Sequence, residues 1–206
     1  MNYRGSLSSL TVKRKPETSF EENEMKCLRW MLVAALMSLS TLALAQMDEQ
    51  KSGAQPSDAQ KSFAKLKTFA GSWEGTVTTQ PPSPEMDNKQ VHASLRVTSM
   101  GNAIMHEMTG AGRPDDPITM LYLDGDRLLL THYCDAGNRP RMTGKISADG
   151  KTVEFEFLDV AGSTQYGHMH HAAFTEVDAN HHTEDWTYMQ PGDKPVHAHI
   201  ELQRSK

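Results

Sequence analysis

From Trp73 to the C-terminus, apolar and polar residues alternate with a period of two in short runs separated by turn residues. Such alternation is the mark of half-buried strands. Trp73, Gly75 and Val77 share one face of a first strand, and Val91, Ala93, Leu95 and Val97 share a face of a second. Met100-Gly101-Asn102 turns the chain, and Ile104, His106 and Met108 line one side of a third. Arg113 to Pro117 reads as a loop. Ile118–Leu123 is an apolar strand, followed by Asp124-Gly125, a tight-hairpin signal whose two central positions favour positive φ. Leu128, Leu130, His132 and Cys134 alternate next, then Arg141–Ser147. A second hairpin signal, Asp149-Gly150, precedes Val153, Phe155 and Phe157, which alternate with Glu154 and Glu156. Strands near His168–Thr175, His182–Met189 and Val196–Gln203 complete the set.

Ahead of the strands, Phe63, Leu66 and Phe69 recur at helical spacing, with Asp58 as the expected cap and Gly71 as the stop. No segment after residue 72 has a helix-length amphipathic pattern. About ten strands joined by short turns favour an antiparallel up-and-down sheet, and closure into a barrel removes its exposed edges. A sandwich is the alternative. The expected fold class is all-β: a single antiparallel barrel of about ten strands, preceded by a short helix.

The longest apolar run lies elsewhere. Trp30–Ala45 reads WMLVAALMSLSTLALA, follows Lys26 and Arg29, and ends in Ala43-Leu44-Ala45. A basic start, an apolar stretch of about 7–15 residues and an A-x-A end make a secretory signal peptide. The run is short for a span of about 20 residues. The expected organisation is a non-native extension at 1–24 ahead of a start at Met25, a signal peptide at 25–45, a linker at 46–59 and a barrel domain at 60–204. Cleavage after Ala45 predicts a secreted or periplasmic protein with no stable membrane span. Cys134 is then the sole cysteine of the mature chain.

The 206 residues carry a formal net charge of −5, which argues against a nucleic-acid partner held by phosphate neutralisation. No nucleotide-binding or hydrolase fingerprint is present. His132 and Cys134 share a strand face, but a strand rise of about 3.3 Å per residue separates them beyond hydrogen-bond reach. Glu184-Asp185 is one buried and one solvated carboxylate, since strand neighbours point to opposite faces. No catalytic residue is assigned.

The opening Phe69-Ala70-Gly71-Ser72-Trp73-Glu74-Gly75, a short helix running into G-x-W-x-G, resembles that of lipocalin-like (calycin) barrels. It is similar in particular to the ten-stranded nitrobindin-like and fatty-acid-binding-protein-like forms. Tyr122–Leu128, Thr131–Cys134 and Asn138–Met142 resemble bacterial secreted lipocalin-like domains. The resemblance covers about residues 60–204. It implies structural roles for Gly71, Trp73 and Gly75, with Trp73 plugging one barrel end against an arginine near the last strand. Arg204 holds that position.

All ten histidines fall after residue 90. A barrel interior receives alternate residues from every strand, so imidazoles distant in sequence can converge. His106, His132, His170, His182, Trp186 and Tyr188 are the expected ligand-lining residues. Three readings stand: polar residues lining a wet cavity or solvent, a cavity that orients a small molecule, or a metal or haem site. His168-x-His170 and His197-x-His199 put paired imidazoles on one strand face and are the candidate metal ligands. The resemblance implies haem held through a histidine in nitrobindin-like relatives, and no single residue here matches that ligand. The reading adopted is non-catalytic binding of a small hydrophobic or amphipathic molecule. Haem or zinc binding, and a filled barrel acting as an interaction module, are the alternatives.

Overall fold

The computed structural model describes residues 55–110 and 116–205. The expected extension, signal peptide and most of the linker lie outside the described residues, as do 111–115. The elements are α1 (Asp58–Thr68), β1 (Gly71–Gln80), β2 (Gln90–Thr98), β3 (Ala103–Gly110), β4 (Ile118–Asp124), β5 (Arg127–Tyr133), β6 (Arg139–Ile146), β7 (Thr152–Ala161), β8 (His168–Asp178), β9 (His181–Gln190) and β10 (Lys194–Arg204). Each strand pairs antiparallel with its sequence neighbour, and β10 returns to pair with β1. The result is a closed ten-stranded up-and-down barrel with no free edge. Among the described residues no helix is long and apolar enough to cross a membrane.

The helix is capped one residue earlier than expected. Ser57 is the N-cap, not Asp58: its hydroxyl accepts from the Gln60 N–H, and Gln60 Oε1 accepts from the Ser57 N–H. This reciprocal box satisfies two otherwise orphan donors. Asp58 sits in the first turn and Lys65 and Lys67 in the last, complementing the helix dipole. Ala59, Phe63 and Leu66 are buried, and Lys65 Nζ reaches Glu176 Oε2 on β8 at 2.5 Å.

The helix leads into the plug of one barrel end. Trp73 Nε1 donates to Phe69 O at 2.8 Å, and the Arg204 guanidinium carbon lies 4.1 Å from the Trp73 ring centre. Arg204 Nη1 also donates to Ala70 O. Gly71 adopts φ +138°, and a Cβ there would stand 2.4 Å from Arg204 Nη1. At Gly75 a Cβ would stand 1.8 Å from the Glu201 carbonyl oxygen, so the β1–β10 approach itself requires glycine.

Some local expectations are corrected. The Asp124-Gly125 hairpin turns on Gly125 and Asp126, because Asp124 pairs with Arg127. Only Gly125 takes positive φ, as in a turn with glycine at its first central position. Asp149-Gly150 sits in a longer loop, where Asp149 accepts from the Ser147 hydroxyl and the Lys151 N–H. Val97 has the inward parity of β2 but is 38% exposed. Cys134 lies just past β5.

Candidate functional site

The barrel interior changes character along its axis. At the helix end it is packed with Leu66, Phe69, Trp73, Leu95, Ile104, Leu121, Leu128, Phe155 and Phe174, all buried. Toward the other end the inward residues become smaller, including Val77, Val91 and Ala198, and a cavity of about 810 Å³ opens. That volume is within the range of about 300–1,000 Å³ typical of small-molecule sites. Its walls include Met108, Met169, Trp186, Val196 and Ile200. Pro81–Met86 and Cys134–Ala136 contribute to the lining from the loops after β1 and β5.

The transition between packed core and cavity is polar. Glu184 is completely buried. His106 Nε2 lies 3.1 Å from its Oε2 and 3.2 Å from its Oε1. His182 Nε2 lies 3.2 Å from Oε1, and Trp186 Nε1 donates to Oε2 at 3.0 Å. Burial alone would push the Glu184 carboxyl up. The charge and hydrogen bond of His106, with the hydrogen bond from His182, outweigh it and hold the carboxyl well below the usual range. β9 builds most of this by alternation: His182, Glu184, Trp186 and Tyr188 face inward in sequence from the plugged end to the mouth.

Four of the six expected lining residues surround the cavity: His106, His132, Trp186 and Tyr188. The His106 and His132 rings each lie 5.8 Å from the Trp186 ring. Thr119 Oγ1 is 2.8 Å from His132 Nδ1, fixing that ring from β4. The Tyr188 hydroxyl donates to Tyr166 O at 2.6 Å. Burial, then the nearby Cys134, raises its phenol above the ordinary value.

The other two are corrected. His182 is not a wall residue: it sits behind Glu184, edge-on to Trp73 at 4.1 Å and 4.9 Å from Phe69. His170 falls in a β-bulge. Met169 pairs with Tyr188 and His171 with Thr187, so His170 is the extra residue and Met169 faces the cavity. His170 instead stacks on Phe157 at 4.7 Å, 3.3 Å from His168.

The candidate metal histidines do not gather into one site. His168 and His170 form the pair just described. His197 and His199 face outward on β10, where His197 Nδ1 is 3.0 Å from Thr187 Oγ1 and His199 Nδ1 is 2.6 Å from Asp185 Oδ1. A different group, Glu154, Glu156 and His171, brings potential ligand atoms within 4.8 Å of one another outside the cavity.

The sequence reading missed Glu184 as the centre of the polar layer. Its inward parity with His182 and Trp186 was visible. Its cross-barrel partner His106, 78 positions away, was not. Arg141 pairs with Asp159, and Arg139 is exposed, so neither enters the cavity.

No protein-family model matches the sequence, and no curated protein matches it. Solved structures do resemble it. Rv2717c from M. tuberculosis superposes with a TM-score of 0.52 at 13% identity, over 70% of this chain and 98% of that one. A DUF3598-family protein of unknown function from Nostoc punctiforme gives 0.49 at 11% identity over 68% of this chain; the match spans about half (49%) of the Nostoc protein. The S-type phycobiliprotein lyase of Guillardia theta gives 0.46 at 9% identity, over 68% of this chain and 90% of that one. At these identities the likeness is one of fold alone.

Proposed function

We propose that the barrel is a non-catalytic container for a small, largely apolar molecule, exported from the cytoplasm by a signal peptide at residues 25–45 that is cleaved after Ala45. The observation that carries this reading is the cavity of about 810 Å³, walled by Val, Met, Ile and Trp side chains and bearing His106 and His132 at its polar end. Apolar walls with a few fixed polar groups are the general composition of ligand pockets. Preformed volume matters here, because voids in a core that holds no ligand cost stability.

The test is uptake of phenylnaphthylamine, a neutral dye that brightens in apolar surroundings, by the full chain. One dye per chain is expected. Ala198→Trp puts an indole into the cavity and is expected to abolish uptake while the barrel stays folded by circular dichroism. No uptake by the wild type, or equal uptake by the filled variant, overturns the proposal.

A further inference from the structure

The polar layer beneath the cavity carries its own charge balance, and that balance restricts what the cavity holds. Glu184 is a carboxylate with no solvent exposure, met by donors from His106, His182 and Trp186. A buried carboxylate requires a compensating charge. His182 is the wrong carrier. Its Nδ1 is buried without a hydrogen-bond partner, against the rings of Trp73 and Phe69. A neutral His182 donates through Nε2–H and leaves only a lone pair there. A doubly protonated ring would strand an N–H, which is costlier. The positive charge therefore belongs to His106, whose Nε2 faces both Glu184 oxygens.

An imidazolium carries a proton on each nitrogen. The His106 ring lines the cavity, so its Nδ1–H is a donor on the cavity side of a pair that is already neutral. Among the described lining residues there is no lysine or arginine, and the carboxylates among them are Glu85 and Asp135 near the mouth. Among the described lining residues, then, an entering anion meets no fixed positive charge beyond that of His106, which Glu184 already balances.

We propose that the cavity selects a neutral, largely apolar molecule bearing a hydrogen-bond acceptor, such as a ketone or ester carbonyl, that rests on His106. This deepens the container reading and rests on it. The same apolar body bearing a carboxylate or sulfonate is rejected, because its charge would lie unpaired beside Glu184.

Three naphthalene dyes test this on the full chain at neutral pH: phenylnaphthylamine, its sulfonated analogue anilinonaphthalene sulfonate, and the ketone propionyl-dimethylaminonaphthalene. The expected result is that both neutral dyes bind and the sulfonate binds at least about tenfold more weakly than its uncharged parent, a difference of about 1.4 kcal/mol. The double variant His106→Leu with Glu184→Gln removes charge and countercharge together. It is expected to lower ketone affinity at least about tenfold more than it lowers that of phenylnaphthylamine. Sulfonate binding as tight as that of the parent overturns the proposal in the wild type alone, whether or not the double variant folds. So does a ketone whose affinity is unchanged in a folded double variant. Failure of all three dyes defeats the container reading itself.

Discussion

His106 on β3 and Glu184 on β9 meet at 3.1 Å across the barrel lumen, although their strands are not neighbours in the sheet. The pair is a cross-brace between two walls at the level where the packed core gives way to the cavity. Breaking one side of a buried ion pair leaves the other charge without compensation. Glu184→Gln is therefore expected to lower unfolding free energy by about 3 kcal/mol. Urea denaturation measures it, and a loss below about 1 kcal/mol would mean that the brace is not an ion pair.

Acid should weaken the barrel in two stages. His168 is held below its ordinary 6.5, by burial first and then by the charge of His170, with Asp193 pulling the other way. A depressed folded value favours the neutral ring, so its contribution is present above 6.5 and is lost as pH falls. Glu184 is held below its ordinary 4.5 by His106 and His182. Its contribution is full above 4.5 and shrinks as pH drops from there toward the folded value. The thermal midpoint is expected to decline first below about pH 6.5 and again below about pH 4.5. His168→Gln should flatten the first decline and Glu184→Gln the second. Unchanged slopes in both variants contradict these assignments.

The plugged end has its own signature. Arg204→Met removes the cation from the Trp73 ring and the donor to Ala70 O, with an expected cost of about 1–2 kcal/mol. Gly75→Ala forces a methyl into the Glu201 carbonyl and should cost about 2–3 kcal/mol. Trp73 emission checks the difference: Arg204→Met should shift it, and Gly75→Ala should instead loosen β1–β10 amide protection in hydrogen exchange.

The rim segment after β1 is tied down by one carboxylate. Asp87 Oδ1 accepts from the Thr79 N–H and hydroxyl, and its Oδ2 accepts from the Ser83 N–H. These bonds hold the prolines that line the mouth. Asp87→Ala is expected to speed dye release severalfold in stopped-flow displacement, with little change in the cavity's preference between dyes. An unaltered release rate would show that this segment does not gate the mouth.

The barrel was legible because two-residue alternation survives in most strands, and because G-x-W-x-G marks the plug. The faces of β1, β3, β5 and β9 followed from parity alone. His170 was misplaced because a bulge is a local insertion that alternation cannot register: one extra residue between Met169 and His171 changes which side chain enters the barrel. His182 had the right face but the wrong depth, since parity fixes direction and not height along the axis. The polar layer stayed hidden because it forms across the lumen, between β3 and β9, where no sequence spacing links its members.

Native mass spectrometry of the chain purified from the cells that make it, together with its absorption spectrum, tests the container account most directly. The account predicts an added organic mass of a few hundred daltons in about one-to-one ratio, carried by the wild type and missing from Ala198→Trp. A bare chain mass with no dye uptake would contradict it and indicate a barrel acting through its surface. A haem mass with its absorption band, or a zinc adduct lost on substitution of His106 or His132, would contradict the neutral-organic reading and assign those histidines to a metal.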